Sequence, residues 1–402
     1  MALFLKFHSV ISPRTVGRAP MLRRQKAPSR HAGFSIIELL VALAVGMALT
    51  VAITLIMMRH DGTRRSLTSS NDAQLNANFL SHELDRALRS AGTGFAQGWR
   101  STYGCLLHVT RSGTQLLPPT SSLPAPFASV AAPVRLAPVL IYAAAGNGGT
   151  DVLAVASGAS GTGETASRVL PGSVTHSSLS IPTTVGMRGE DLVLVAEAGV
   201  GCMLQQVSAP FTGGAAQMLN FSGAYSAASI ASLSLAGFSG SATVSLLGNR
   251  TGNPPQMRLI GLGDNNTLFN YDLLRLDGSD TARPMADGVV SLRALYGVDS
   301  NGDGQLDSWV APTAAGFTAA ALQDGSDTAR ARLLSIMAIR LAMVLRSDRV
   351  ERENVSAPSM TLFADLPTAL HITQTLNADQ QRMRHRLVEI TVPLRNTIHQ
   401  SR

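Results

Sequence analysis

The chain has 402 residues, of which 45% are hydrophobic and 15% charged, a composition that excludes a disordered protein and allows a large packed core. The formal net charge of +7 arises within the first 33 residues, which contain seven Lys or Arg residues and no acidic residue. The remaining chain carries 26 arginines and 26 acidic residues, so its net charge does not indicate a nucleic-acid-binding body.

The first predicted element is an apolar helix over residues 34–58, in which Glu38 is the one charged residue. At roughly 1.5 Å per residue such a helix is about 37 Å long, enough to cross a bilayer. More basic residues precede it than follow it, so the positive-inside rule places the leader in the cytoplasm and the body outside. No small-residue cleavage site follows the segment. We therefore expect a retained single-pass anchor.

The sequence GFSIIELLVAL, which begins at Gly33, resembles the prepilin signal of type IV pilins and type II secretion pseudopilins. The resemblance implies that a prepilin peptidase removes the leader, residues 1–33, by cutting between Gly33 and Phe34, and that the new amine of Phe34 is methylated. Met21 could also serve as the start of a shorter leader.

Glu38 is the fifth residue of the mature chain that this resemblance implies. A carboxylate within a membrane segment is costly and by default marks a function with a partner. In a pilin-like filament Glu38 would face the Phe34 amine of an adjacent subunit. A second interpretation stays open, in which Glu38 simply reaches the membrane interface from the first helical turn, where the helix dipole favours a negative charge.

Residues 59–92 are predicted to form the amphipathic second half of the stem helix and to pack against a sheet. The Asp61-Gly62 pair could bend the helix, and Gly92 and Gly94 are expected to end it. The predicted apolar face repeats at steps of three to five residues and consists of Leu75, Phe79, Leu80, Leu84 and Leu88.

Residues 93–402 are predicted to form a β-rich head, so the fold class is α+β with a mainly antiparallel sheet arrangement. A proline-rich stretch, residues 118–138, is expected to be a loop, and residues 209–241 carry too little large apolar surface for an assignment. The run 333–345 is too short for a second span and contains Arg340, which favours a buried strand or helix. The predicted strands are VLIYAAA (139–145), DVLAVAS (151–157), DLVLVAEAG (191–199), SATVSLLG (241–248), MRLIGL (257–262), LFNYDLLRL (268–276), VVSLRALYGV (289–298) and LVEITVPL (387–394).

The segment DSNGDGQLD, residues 299–307, has the spacing of an EF-hand-like calcium loop. The predicted Ca²⁺ ligands are oxygen donors at alternating positions, with Gly304 at the sharp turn; they are Asp299, Asn301, Asp303, the backbone carbonyl of Gln305, and Asp307. Val310 stands where the bidentate Glu of such a loop is expected, so waters or a remote acid would complete the coordination shell. The alternative is an exposed turn that simply favours Asp, Asn and Gly.

Three C-terminal segments sharpen the resemblance to the PilW type of minor pilin: YGVDSNGDGQLDSW, SIMAIRLAMVLRS and RMRHRLVEITVPLRN. The resemblance implies an inner-membrane protein with a periplasmic head, which then lies at the base or tip of a type IV pilus. Its implied partners are other minor pilins, the major pilin, the prepilin peptidase, the assembly platform and a tip adhesin. In a periplasmic head, Cys105 and Cys202 would pair as a disulfide.

The leading hypothesis is therefore a minor pilin of a priming or tip complex, not an enzyme. A type II secretion pseudopilin shares the prepilin signal and is the closest alternative. A membrane-tethered periplasmic enzyme is a third hypothesis, although the sequence contains no G-x-S-x-G, P-loop, H-E-x-x-H or dinucleotide-binding motif. The basic cluster Arg382, Arg384, His385 and Arg386 is typical of a solvated face, so nucleic acid is not an expected partner.

Overall fold

The computed structural model describes residue 33 and residues 35–131, 134–160, 165–215 and 217–398, without the side chains of residues 59, 61–70 and 72. The predicted leader up to residue 32 and the predicted first mature residue, Phe34, lie outside the described residues. The chain divides into two compact units, with the boundary between Gly62 and Thr63.

A single long helix, α1 (Ile36–Ser90), comprises 55 residues and confirms the predicted stem helix. It has no proline, and its helical assignment continues through Asp61-Gly62, so the expected bend there does not interrupt it. The helix is followed by Gly92 with φ +83°, a left-handed conformation that glycine adopts without strain and that commonly ends helices. The predicted stop at Gly92 is thus confirmed.

The second half of α1 buries a stripe of Leu80, Leu84 and Leu88, each 0% exposed, in the core of the head. This spacing of four residues keeps the side chains on one face and confirms three of the predicted contacts. The prediction was wrong for Leu75 and Phe79, which are 65% and 50% exposed. At about 100° per residue they lie about 180° and 140° around the helix from Leu84, so they cannot face the same core.

The remaining helices are short, and the strands carry most of the head. The helices are α2 (Trp99–Thr102), α3 (Ala319–Leu322), α4 (Asp327–Ser335), α5 (Ala378–Gln381) and α6 (Arg395–Ile398). The described strands are, in chain order, β1 (Leu107–Arg111), β2 (Thr114–Leu117), β3 (Val139–Tyr142), β4 (Val152–Ser157), β5 (Ser167–Arg168), β6 (Ser178–Ser180), β7 (Asp191–Glu197), β8 (Gly201–Gln206), β9 (Met218–Asn220), β10 (Ser229–Ile230), β11 (Leu233–Ser234), β12 (Thr243–Asn249), β13 (Gln256–Leu262), β14 (Leu268–Asp272), β15 (Arg283–Ala286), β16 (Val289–Val298), β17 (Ser308–Val310), β18 (Ile336–Arg346), β19 (Ser359–Leu362), β20 (Ile372–Thr375) and β21 (His385–Pro393).

Three larger sheets organise these strands. Sheet A has the order β2-β1-β8-β7-β12-β5, sheet B the order β15-β14-β13-β4-β3, and sheet C the order β17-β16-β18-β21. Three separate two-stranded pairs are β10-β11, β19-β20 and β6-β9. Among the described pairings β1 and β8 run parallel and the others are antiparallel, which confirms the predicted mainly antiparallel α+β fold.

Strand β7 shows why several strands read as unbroken apolar runs. Leu192 and Leu194 point into the main core, which also contains the buried face of α1. Val193 and Val195, on the opposite face of the same strand, join a second core on the other side of sheet A. Because both faces of the strand are covered, no position selects a polar residue for solvent.

The predicted strand or helix at residues 333–345 is the end of α4 followed by β18, a strand that is buried along most of its length. Arg340 lies in β18 on the face opposite the main core and pairs with Glu389 at 2.7 Å and Asp365 at 2.6 Å. The charge is therefore accommodated by two carboxylates rather than by water alone. This confirms that the segment is part of the folded head.

Sheets B and C are joined by the buried carboxylate of Asp151, whose side chain is 4% exposed. It accepts hydrogen bonds from the backbone N–H groups of Ala144 at 3.1 Å and Ala294 at 3.0 Å, and it pairs with Arg293 at 3.3 Å. Burial raises the pKa of this carboxyl above its usual value, although the N–H donors and Arg293 act in the opposite direction.

Candidate membrane anchor, cysteine pair, helix cap and cation loop

The first part of α1, Ile36–Met58, is the one helix in the described residues that is long and apolar enough to cross a membrane. It has 23 residues, a mean hydropathy of 2.7, and no buried part. Its polar hydroxyls are satisfied within the helix, because Thr50 donates to the carbonyl of Gly46 at 3.0 Å and Thr54 to that of Thr50 at 2.7 Å. An exposed helix of this kind needs a lipid or protein environment.

Glu38 lies in the first turn of this helix and is exposed. Its backbone N–H donates to the carbonyl of Ser35 at 3.0 Å, so the first turn of the helix includes Glu38. The pairing of Glu38 with the amine of a neighbouring Phe34 stays a prediction, since Phe34 lies outside the described residues. The same holds for cleavage after Gly33, which is described as exposed chain before the helix.

Cys105 and Cys202 form a disulfide with a Cα–Cα distance of 5.7 Å, as the pilin resemblance implied. Cys202 is the second residue of the buried strand β8, and Cys105 lies two residues before the start of β1, which pairs with β8. The bond closes a loop with a sequence separation of 97. In the chain-entropy model a loop of this size stabilises the folded state by about 4–5 kcal/mol.

The C-terminal end of α1 is capped by Asn396, a residue from the far end of the chain. The Asn396 side-chain amide donates to the carbonyl of Ala91 at 2.9 Å and contacts the hydroxyl of Thr93 at 2.9 Å. The last carbonyls of a helix have no partner within the helix, so a side-chain donor placed there satisfies one of them. The sequence pattern does not reveal this role of Asn396, because the contact joins residues from opposite ends of the chain.

The predicted calcium loop, residues 299–307, connects β16 with β17. Asp299 is 3% exposed, and its two carboxylate oxygens accept from the N–H groups of Gly302 at 2.6 Å and Gly304 at 2.9 Å. Asp307 accepts from the hydroxyl and the N–H of Ser300, both at 2.7 Å, and these hydrogen bonds lower its pKa. Both carboxylates therefore support the turn itself.

The side chains of Asn301 and Asp303 also bond within the loop. Asp303 accepts from the side-chain amide of Asn301 at 3.2 Å and from the N–H of Gln305 at 2.8 Å. In the described part of the chain, no group of three or more His, Cys, Asp or Glu side chains is placed so that it could hold a metal ion. Calcium binding at this loop stays a prediction.

Two family models match the chain. The prokaryotic N-terminal methylation motif matches residues 28–54, and the family of the Type IV Pilus-assembly protein W matches residues 255–396. No curated protein and no solved structure gives a significant match.

The matched methylation motif covers most of the exposed apolar helix Ile36–Met58, and the two together fit a pilin with a single-pass membrane anchor. The C-terminal match covers the predicted calcium loop, sheet C and the helix cap at Asn396, and the two matches together support a type IV pilus minor pilin of the PilW type. This confirms the resemblance seen in the sequence. The pilus-assembly family and the methylation motif imply other pilins and the prepilin peptidase as partners.

Proposed function

We propose that the protein is a structural subunit of the priming or tip complex of a type IV pilus, where it contacts other minor pilins, the major pilin, the inner-membrane assembly platform and a tip adhesin. The observation that supports this best is α1, which is wholly exposed and apolar over Ile36–Met58 and then buries Leu84 and Leu88 in the head. One element thus joins a membrane anchor to a folded head, and its chemistry is assembly rather than turnover.

The head lies in the periplasm in this proposal. The seven basic residues of the leader favour a cytoplasmic start. The Cys105–Cys202 disulfide agrees with an oxidising compartment for the head. A type II secretion pseudopilin would share the anchor, but the match to the pilus-assembly family over residues 255–396 favours the pilus.

Processing is tested by mass spectrometry of the protein isolated from cells that have an active prepilin peptidase. We expect a mature chain that begins with methylated Phe34. Gly33→Leu should block cleavage, whereas the matched variant Gly46→Leu should be processed normally. The two variants are matched because a Cβ at either glycine would meet no atom within 4 Å. A mature chain that begins beyond Met58 would contradict the retained anchor.

Assembly is tested by deleting the gene and counting surface pili while protein secretion is measured in parallel. We expect the deletion to abolish or sharply reduce pili and to leave secretion unchanged. Affinity isolation of the full-length protein should recover pilus subunits. Loss of secretion with intact pili would instead support the pseudopilin alternative.

We further propose that the 299–307 loop binds Ca²⁺ with modest affinity. Support comes from the alternating oxygen donors and from Gly304, whose φ of +81° gives the turn that such a loop requires. Isothermal titration of chelator-treated full-length protein should give heat with Ca²⁺ that Asp303→Ala removes and that Asp379→Ala, a change outside the loop, retains. Absence of both calcium heat and a thermal shift in the unmodified protein would end this proposal.

A further inference from the structure

Strand β21 is an edge strand of sheet C with a regular outer side. It has nine residues and pairs with β18 from Arg346–His385 to Ala338–Pro393 without a register shift. The other edge strands of the three sheets have two to four residues. A long, flat edge without a bulge is a template for another strand, and proteins normally disrupt such edges.

The hydrogen bonds at its two ends show which residues of β21 face outward. Arg384 accepts through its carbonyl from the N–H of Ser347 at 2.8 Å, and the N–H of Leu394 donates to Met337 at 2.7 Å, so even-numbered residues face β18. Residues along an antiparallel strand alternate between the two sides, so odd-numbered residues direct their N–H and C=O groups away from β18. Pro393, which has no N–H, falls on this outward side.

The outward groups of β21 are largely without partners. The N–H of His385 donates to the hydroxyl of Ser356 at 3.1 Å. The outward N–H and C=O groups of Leu387, Glu389 and Thr391 form no hydrogen bond with any residue that the structure describes. These three residues therefore offer a continuous ladder of backbone donors and acceptors.

The side chains beside this edge are also incompletely covered. Leu387 packs against the outer core of sheet C, and Val388 and Ile390 pack against the main core, but all three are half-buried. A further strand with apolar residues on both faces would extend both cores. At the start of the edge, Arg386 is exposed and forms no ion pair with any described residue, whereas the neighbouring Arg384 pairs with Glu351 at 3.5 Å.

We propose that β21 is a docking edge on which an extended, acidic segment of another pilus subunit adds as a fifth strand of sheet C. Backbone hydrogen bonds to Leu387, Glu389 and Thr391 provide the affinity, and a carboxylate near Arg386 fixes the register. The identity of the partner as a pilus subunit rests on the proposed function. A second copy of this chain, paired through its own β21, is the alternative occupant that the experiment must distinguish.

The test is site-specific photo-crosslinking of the full-length protein in piliated cells, with benzoylphenylalanine in place of Thr391. The matched control places it at Thr114, an exposed residue of the sheet A edge strand β2. We expect an adduct with another pilus subunit from position 391 and none from position 114. An adduct with a second copy of this chain, or no adduct in cells that carry pili, would overturn the proposal.

Substitution at the same position gives a second readout. Thr391→Pro removes an outward N–H that is not used within the described fold, whereas Thr391→Val keeps it. In affinity isolation, the recovered amount of the pilus subunit that cross-linking identifies should fall about tenfold with Thr391→Pro and with Arg386→Glu. It should stay unchanged with Thr391→Val. If Thr391→Pro fails to accumulate, the cross-linking result decides.

The two proposals fail in different ways. Unchanged partner recovery with Thr391→Pro, in cells that need this protein for pili, would refute docking at β21 and leave the minor-pilin function intact. Normal piliation after deletion of the whole gene would instead refute the proposed function.

Discussion

Replacing Asn396 by alanine removes the side chain that caps α1. In the described structure the carbonyl of Ala91 has this amide as its hydrogen-bond partner, at 2.9 Å. The carbonyl of Ser90 is less dependent on Asn396, because the hydroxyl of Thr93 donates to it at 2.7 Å. The substitution thus leaves one carbonyl of the helix end without a partner and deprives Thr93 of a donor.

The expected cost follows from these contacts. Loss of one hydrogen bond with a half-buried carbonyl left unpaired costs about 1–3 kcal/mol, and we expect the free energy of unfolding to fall by about 2 kcal/mol. Asn396→Asp should cost more, about 3 kcal/mol at neutral pH, because it places a negative charge at the negative end of the helix dipole. Arg395→Ala changes an exposed neighbouring residue and should stay within about 0.5 kcal/mol of the unmodified protein.

Denaturation of the full-length protein in detergent measures these differences. The chain has two tryptophans, and Trp99 lies in α2 shortly after the capped helix end, so its fluorescence reports local unfolding. The ranking should be unmodified protein and Arg395→Ala together, then Asn396→Ala, then Asn396→Asp. If Asn396→Asp is as stable as the unmodified protein, the side chain does not cap the helix.

Three further predictions concern other parts of the head. The double variant Cys105→Ser, Cys202→Ser should lose about 4–5 kcal/mol, and reductant should destabilise the unmodified protein but not the variant; labelling of both thiols in native, unreduced protein would contradict this. Burial raises the pKa of Asp151 in the folded state, so its contribution to stability is complete below the unfolded pKa of about 3.9 and is lost as the pH rises through the folded pKa. The stability of the unmodified protein relative to Asp151→Asn should therefore decline as the pH rises above about 4, and a rising difference in denaturation midpoint would refute the argument. Arg340→Met should destabilise the head by about 2 kcal/mol, because it leaves Glu389, 19% exposed, without its cation; the double variant Arg340→Met, Glu389→Gln should recover part of the loss if the ion pair is responsible.

The sequence predicts the elements whose local pattern and tertiary surroundings agree. The stem helix has an apolar stripe at Leu80, Leu84 and Leu88, spaced four residues apart, and a glycine where it ends, so propensity, burial and termination all indicate the same structure. The apolar strands β7, β16 and β18 are equally clear, because both of their faces are covered. The C-terminal segments that carry the family resemblance lie in the part of the head whose strands the sequence predicts clearly.

Strand β8 shows why other elements were missed. It ends in Gln205 and Gln206, which are 0% and 3% exposed although glutamine is usually a surface residue. Gln205 donates through its side-chain amide to the carbonyl of Ala227 at 2.8 Å, and Gln206 accepts from the N–H of Tyr225 at 3.1 Å. Their partners lie in a loop about twenty residues away, a neighbour that periodicity along the strand cannot reveal.

The predicted calcium loop, residues 299–307, and the stem show a second limit of the sequence. Spacing identifies Asp299, Asp303 and Asp307 as oxygen donors, but it does not say whether their oxygens meet at an ion or accept from the backbone, and in the described structure they do the latter. Leu75 and Phe79 were wrongly predicted for a different reason, because their helical spacing turns them away from the face of Leu84 and they stay exposed. The sequence gives the residue type, but the direction in which the carboxylate oxygens of the loop point depends on the hydrogen-bond partners around them.

The C-terminal end of α1 is held by hydrogen bonds from two different parts of the head. The N–H of Gly92 donates to the carbonyl of Ala156 in β4 at 2.9 Å, and Asn396 lies shortly after the end of β21. Leu394, between that strand and the cap, is itself bonded to Met337 in β18. A strand that docks on β21 would therefore bind the segment that continues into the helix cap. We expect docking to protect the amide hydrogens at the end of α1 from exchange, and an exchange rate there that does not change with partner binding would show that the edge and the stem are independent.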